Sequence, residues 1–134
     1  MFRIKRDQME HFNTKTRMKF SRMLTEYLRA EFADWVQGLT EPELFAWVDA
    51  CVQKADSYRV RTEPEVAQLV LFFLLLGSSA DEELDWVRET LRHRDLAAVG
   101  KIRRLIAGAR AREIEGLDSV LVYSEFEQSN AAVG

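Results

Sequence analysis

The chain has 134 residues, of which 47% are apolar and 31% are charged, and its formal net charge is −3. This composition, with only two prolines, excludes a disordered chain and suffices for one domain with its own core. The single cysteine, Cys51, excludes an internal disulfide and fits a small core residue in a reducing cytoplasm. The first residues carry bases with no apolar run behind them, which predicts neither a secretion signal nor a membrane span.

Charge is distributed in four alternating blocks along the chain. Residues 1–30 have a net charge of +5, residues 31–91 of −9, residues 92–112 of +6 and residues 113–134 of −5. We expect neighbouring helices to present complementary solvated faces. Alternatively, one block steers a charged partner toward the protein.

The first predicted helix is long and amphipathic. Apolar residues recur every three or four positions from about Lys5 to Gln37, and Gly38 ends the pattern. The pair Asn13 and Thr14 is its weakest point, where we expect a break or a kink.

Two further helices each begin at the same tetrapeptide, Thr-Glu-Pro-Glu, at residues 40–43 and 62–65. This is a capping-box pattern with proline in the first turn. The second of these helices contains the run VAQLVLFFLLL at residues 66–76, which ends at Gly77. A segment with one polar residue in eleven has no face to offer water, so it predicts a central core helix. A short buried strand is the alternative.

The last two predicted helices span about residues 79–94 and 95–113. Ser79 with Glu82 forms a third start signal, and Asp95 is the expected N-cap of the final helix. Gly100 and Gly108 lie inside that final helix, where we expect them to permit close helix packing.

These elements predict an all-α fold: a single-domain bundle of about five helices around a central apolar helix, followed by a C-terminal tail. The bundle is assigned to residues 1–116 and the tail to residues 117–134. Residues 120–123 of the tail are β-prone and apolar. The tail is therefore either a segment that lies on the bundle and frays, or a strand or hook donated to a partner.

The sequence contains no pattern typical of a catalytic, metal or cofactor site. His11 and His93 have no patterned partners, and the acidic run at residues 81–85 is explained by the helix dipole at a helix start. The basic segment from Lys101 to Arg112 is the best case for nucleic acid, but the pI of about 5.5 and the flanking acidic blocks do not favour it. We expect no enzyme activity, no metal and no cofactor.

Three stretches together resemble a known class of protein. They are FRIKRDQM at residues 2–9, YRVRTEPEV at 58–66, and a Leu-Leu-Gly ending at Gly77 that runs into acidic residues and Trp86. The chain resembles small cytoplasmic helical proteins encoded in bacterial type VI secretion operons. Those proteins have a turn like Gly-Pro-Asp-Phe-Asp before the tryptophan, whereas this chain has GSSAD at residues 77–81.

The resemblance implies a cytoplasmic co-chaperone or adaptor that loads an effector onto its spike by protein–protein contacts alone. Its partner would be an effector chaperone, an effector toxin, or a spike or PAAR component. An immunity protein that blocks a toxin, and a nucleic-acid-binding regulator, are the alternatives. The residues predicted to bind the partner are Asp81, Glu82, Trp86, Val120, Val122, Tyr123 and Phe126.

Overall fold

The structure is a computed structural model that describes residues 13–123 and Phe126. These residues form eight helical segments and no strand, which confirms the all-α prediction. The segments are α1 (Thr14–Glu31), α2 (Ala33–Val36), α3 (Glu41–Ser57), α4 (Glu63–Leu76), α5 (Ala80–Glu83), α6 (Asp85–Arg92), α7 (Ala98–Ala111) and α8 (Leu117–Val120). The count exceeds the predicted five because α2, α5 and α8 are single turns of four residues each.

The fold divides into two compact units, unit 1 (Met1–Val70) and unit 2 (Leu71–Gly134), with the division inside α4. In unit 1, α1 packs against α3 and α2. A polar network joins α1 to α3: the Arg17 guanidinium lies 3.0 Å from the Asp49 carboxylate, and the Ser21 hydroxyl donates to the same oxygen at 2.8 Å. The apolar residues of α1 and α3 that are buried are Phe20, Leu24, Leu28, Leu44, Val48, Cys51, Val52 and Ala55.

The first helix is shorter than the predicted one. Asn13 is its N-cap, because the Asn13 side chain accepts a hydrogen bond from the Thr16 backbone at 2.8 Å. The helix is interrupted at Phe32, whose φ of −128° and ψ of 37° are not helical. The expected continuous helix to Gln37 is therefore wrong, while the expected break near Asn13 coincides with the start of α1. The predicted turns before Asn13 lie outside the described residues.

The apolar run at residues 66–76 is helical, as predicted, and the strand alternative is wrong. Every residue from Val66 to Phe73 is at most 2% exposed. The helix ends at Gly77, whose φ of +105° is a conformation that glycine adopts without steric cost. The prediction of a core helix without a face toward water is therefore confirmed for residues 66–73.

In unit 2, α5 packs on α6, α6 on α7, and α7 on α8. The predicted helix at residues 79–94 is broken at Leu84, whose φ of −109° and ψ of 113° are extended. Arg88 joins the two pieces, because its guanidinium donates to the Glu82 carbonyl at 3.0 Å and pairs with the Asp85 carboxylate. The buried apolar residues of α6 and α7 are Val87, Leu91, Ile102, Leu105, Ile106 and Ala109.

Three of the four predicted helix starts agree with the structure, since α3 begins after Thr40, α4 after Thr62 and α5 after Ser79. At Thr40 both hydrogen bonds of the capping box are present. Ser79 occupies the N-cap position of α5, but its side chain makes no capping hydrogen bond. Asp95 is not the cap of α7, which begins after Ala97 instead. The expected cap at Asp95 is wrong, because aspartate caps a helix only where the backbone brings its side-chain oxygen to the first free N–H groups.

Candidate functional site

The surface cleft between α6 and α7 is the candidate functional site, and it lies wholly within unit 2. Its volume is about 280 Å³. The residues that line it are Trp86, Glu89, Thr90, His93, Arg104, Gly108 and Arg112. On each helix these residues recur every three or four positions, so each set forms one row on its helix surface.

Gly108 determines how close the Trp86 ring lies to α7. A Cβ atom at Gly108 would be 2.8 Å from Trp86 Cε3 and 2.9 Å from Cζ3, closer than non-bonded carbons approach. Glycine therefore lets the indole lie directly on the α7 backbone. This confirms the expectation of close packing at Gly108. Gly100, in contrast, has only Leu96 within contact distance.

The Trp86 ring is covered on one face by a cation. The Arg112 guanidinium carbon lies 4.4 Å from the ring centroid, which is a cation–π contact. Arg112 is held there by a second contact, since its terminal nitrogen donates to the Gly108 carbonyl at 3.1 Å. The cation is thus fixed between a helix backbone and an aromatic ring.

His93 adds a hydrogen-bond donor to the cleft. The backbone N–H of Asp95 donates to His93 Nδ1 at 3.2 Å, so Nδ1 is an acceptor. In the neutral ring the proton is therefore on Nε2, which is a donor. Together with Arg104 and Arg112 this gives three donor groups against one carboxylate, Glu89. The cleft has the chemistry of an anion-binding site beside an aromatic surface.

The predicted site residues do not form one cluster in the structure. Trp86 is half-buried in the cleft, whereas Asp81 and Glu82 lie on α5 and do not line it. Asp81 is only 3% exposed, while Glu82 is exposed. The cleft beside Trp86 is lined instead by Arg104 of α7 and by Arg112, the C-cap of α7. The residues that sequence reasoning did not select for the site are Glu89, Thr90, His93, Arg104, Gly108 and Arg112.

The predicted tail residues lie at and after α8. Val120 and Phe126 are fully buried, and Val122 and Tyr123 are half-buried. Tyr123 and Phe126 contact each other edge-on, with ring centroids 5.7 Å apart. Of the β-prone residues 120–123, Val120 ends α8, whereas Leu121 is extended, with φ of −83° and ψ of 111°. Donation of this segment to a partner stays a prediction, and it would require Val120 and Phe126 to leave buried positions.

A second depression, of about 360 Å³, follows the end of α7. It is lined by Arg110, Glu113, Ile114, Glu115, Gly116, Leu117, Asp118 and Ser119. Across it Arg110 and Asp118 form an exposed ion pair at 3.5 Å. Exposed ion pairs of this kind contribute little to stability. The depression also has no aromatic side chain, so it is a weaker candidate site than the cleft between α6 and α7.

Within residues 13–123 and Phe126, no three His, Cys, Asp or Glu side chains are grouped so that they could hold a metal ion. In the same part of the chain, no helix has both the length and the apolar character to span a bilayer. No protein-family model, curated protein or solved structure shows significant similarity to the chain.

Proposed function

We propose that the protein is a non-enzymatic accessory protein that binds an acidic segment of a protein partner in the α6–α7 cleft. The observation that carries this proposal is the stack of Arg112 on Trp86 over Gly108. Tryptophan and arginine are the residue types that dominate protein–protein interfaces. Here both are held in place before any partner arrives, which lowers the entropy lost on binding.

The positive charge of the cleft favours a partner segment that carries negative charge. Arginine binds a carboxylate through two parallel hydrogen bonds, and Arg104 and Arg112 are both exposed at the cleft. The two arginines belong to the +6 block at residues 92–112, whose field extends the attraction beyond the cleft itself. A cleft of about 280 Å³ is at the small end of ligand sites, which suits one or two side chains of a peptide segment.

The resemblance described above supplies the biological setting of the proposal. The protein would act in the cytoplasm as a co-chaperone or adaptor in type VI secretion. Its partner would be an effector chaperone, an effector toxin, or a spike or PAAR component. The acidic segment that enters the cleft would belong to that partner.

The test is a capture experiment from the native cells with the tagged protein, in wild-type, Arg104→Glu and Arg94→Glu forms. Arg94 is the matched control, because it is exposed in the same basic block but does not line the cleft. We expect wild type and R94E to recover the same chaperone or spike component, identified by mass spectrometry, and R104E to lose it. A synthetic peptide of the partner's acidic segment should bind wild type with an affinity that falls as salt rises.

Three results would overturn the proposal. If R104E recovered the partner as well as R94E did, the cleft would not be the binding site. If the partner were a toxin alone, with its activity suppressed, the protein would be an immunity protein. If nuclease-sensitive nucleic acid were recovered instead, with affinity falling steeply in salt, it would be a nucleic-acid-binding regulator.

A further inference from the structure

Two exposed side chains of opposite charge line the α6–α7 cleft without pairing to each other. They are Glu89 of α6 and Arg104 of α7. Among residues 13–123 and Phe126, neither side chain makes a hydrogen bond, an ion pair or a ring contact. Both the carboxylate and the guanidinium are therefore available to a ligand that enters the cleft.

The positions of these two residues along their helices place them on opposite walls of the cleft. The Trp86 ring lies on Gly108, so these two residues mark one level of the cleft. A short link, residues 93–97, joins α6 to α7 and makes them antiparallel neighbours. Glu89 is three residues after Trp86. Arg104 is four residues before Gly108, so both lie roughly 5 Å further along the cleft in the same direction. Glu89 and Arg104 therefore lie across the cleft from each other.

The carboxylate of Glu89 changes which ligands the cleft can accept. Of the residues that line the cleft in the described part of the chain, only Glu89 is acidic, whereas Arg104 and Arg112 are cations. A uniformly acidic segment would pair with the arginines, but it would also bring a carboxylate close to Glu89, and like charges repel. A cation of the ligand at this point would replace that repulsion by attraction.

We propose that the segment bound in the cleft carries charges of both signs, a proposal that rests on the function proposed above and narrows the partner. Acidic residues of the segment pair with Arg104 and Arg112, and a basic residue next to them pairs with Glu89. An extended segment fits this arrangement, because its successive side chains point to opposite sides. Glu89 also disfavours uniformly acidic polymers, since specificity comes from repulsive as well as attractive contacts.

The test compares two synthetic peptides, blocked at both ends, by nuclear magnetic resonance titration followed at the Trp86 indole N–H. The lysine peptide is Asp-Asp-Lys-Asp-Asp, and the glutamine peptide is Asp-Asp-Gln-Asp-Asp. The positive field of the cleft favours the glutamine peptide, because its net charge is more negative. Pairing with Glu89 favours the lysine peptide instead. We expect wild type to bind the lysine peptide about twofold to fivefold more tightly, as for an exposed ion pair.

Three variants assign this preference to the cleft. Glu89→Gln should reverse the order of the two peptides, because only the positive field then distinguishes them. Glu83→Gln is the matched control: it removes an exposed carboxylate of unit 2 that does not line the cleft, and it should keep the wild-type order. Arg104→Glu should weaken the binding of both peptides. All three positions are exposed, so each variant should fold, which circular dichroism checks.

Two results would overturn this proposal while leaving the proposed function intact. The first is wild type binding the glutamine peptide at least as tightly as the lysine peptide. The second is E89Q keeping the wild-type order. If neither peptide binds wild type, or if R104E binds both as tightly as wild type does, the proposed function fails as well.

Discussion

Replacement of Gly108 by alanine has two opposite effects on stability, of which the unfavourable one is larger. Alanine in place of glycine inside a helix stabilises that helix by about 1 kcal/mol. However, the new Cβ would lie 2.8 Å from the Trp86 ring, about 1 Å closer than carbons normally approach, and the ring is rigid. Overpacking of this kind costs about 1–3 kcal/mol. We therefore expect Gly108→Ala to lower the free energy of unfolding by about 1 kcal/mol.

The matched control is Gly100→Ala in the same helix. There the new Cβ would lie 3.4 Å from a Leu96 methyl carbon, which is an ordinary contact, so alanine should stabilise by up to about 1 kcal/mol. Urea denaturation followed by far-ultraviolet circular dichroism measures both variants without relying on tryptophan fluorescence. In a Trp86→Ala background the sign at Gly108 should reverse, because the ring is gone.

Two results would refute the steric argument for Gly108. The first is G108A stabilising the protein as much as G100A does. The second is G108A destabilising it equally whether or not Trp86 is present. If the argument holds, G108A should also weaken capture of the partner, because the displaced indole no longer lines the cleft with Arg112 above it.

Two further predictions concern helix ends. Two hydrogen bonds lower the pKa of Glu43 below its ordinary value. The larger contribution comes from the Thr40 backbone N–H and the smaller one from the Thr40 hydroxyl. A carboxyl whose pKa is lower in the folded than in the unfolded state stabilises the folded protein at pH values above its unfolded-state pKa. This stabilisation is lost as the pH falls through its folded-state pKa. Urea midpoints of wild type should therefore fall on acidification below about pH 4.5 more than those of Glu43→Gln. Arg59 and Glu113 have φ of +64° and +52°, so Arg59→Gly and Glu113→Gly should each stabilise by about 0.5–1 kcal/mol. Glu115→Gly, at a position without positive φ, should not stabilise; equal gains at all three sites would contradict the strain argument.

The elements that could be predicted from sequence are those whose cause is local. The capping box at Thr40 needs only residues 40–43, and the helix at residues 66–76 needs only its own lack of a polar face. The interruptions at Phe32 and Leu84 were not predicted, because the hydrophobic periodicity runs through both positions and does not show the hydrogen bonds that nearby arginines donate to the backbone around them. Arg29 holds the segment after Phe32, and Arg88 bridges the segments on either side of Leu84.

The cleft could be predicted only in part. Trp86, a predicted partner-binding residue, lines the cleft, but the sequence analysis grouped it with its neighbours in the chain, Asp81 and Glu82, which do not. The signal that pointed to the observed neighbours was the spacing of Arg104, Gly108 and Arg112, which shows that they share one face of a helix. That spacing does not say which helix the face packs against. The packing of α6 against α7 is a tertiary contact, and helical periodicity does not predict which helices are in contact.

Because Cys51 is buried, the reactivity of its thiol reports local opening of the structure around it. At 3% exposure the sulfur is out of reach of an added thiol reagent until the surrounding part of unit 1 opens. When opening is brief, the rate of labelling equals the fraction of open molecules multiplied by the intrinsic rate of the exposed thiol. Each tenfold slowing of labelling then corresponds to about 1.4 kcal/mol of opening free energy. A natural single cysteine therefore allows the free energy of opening around it to be measured in the unmodified protein.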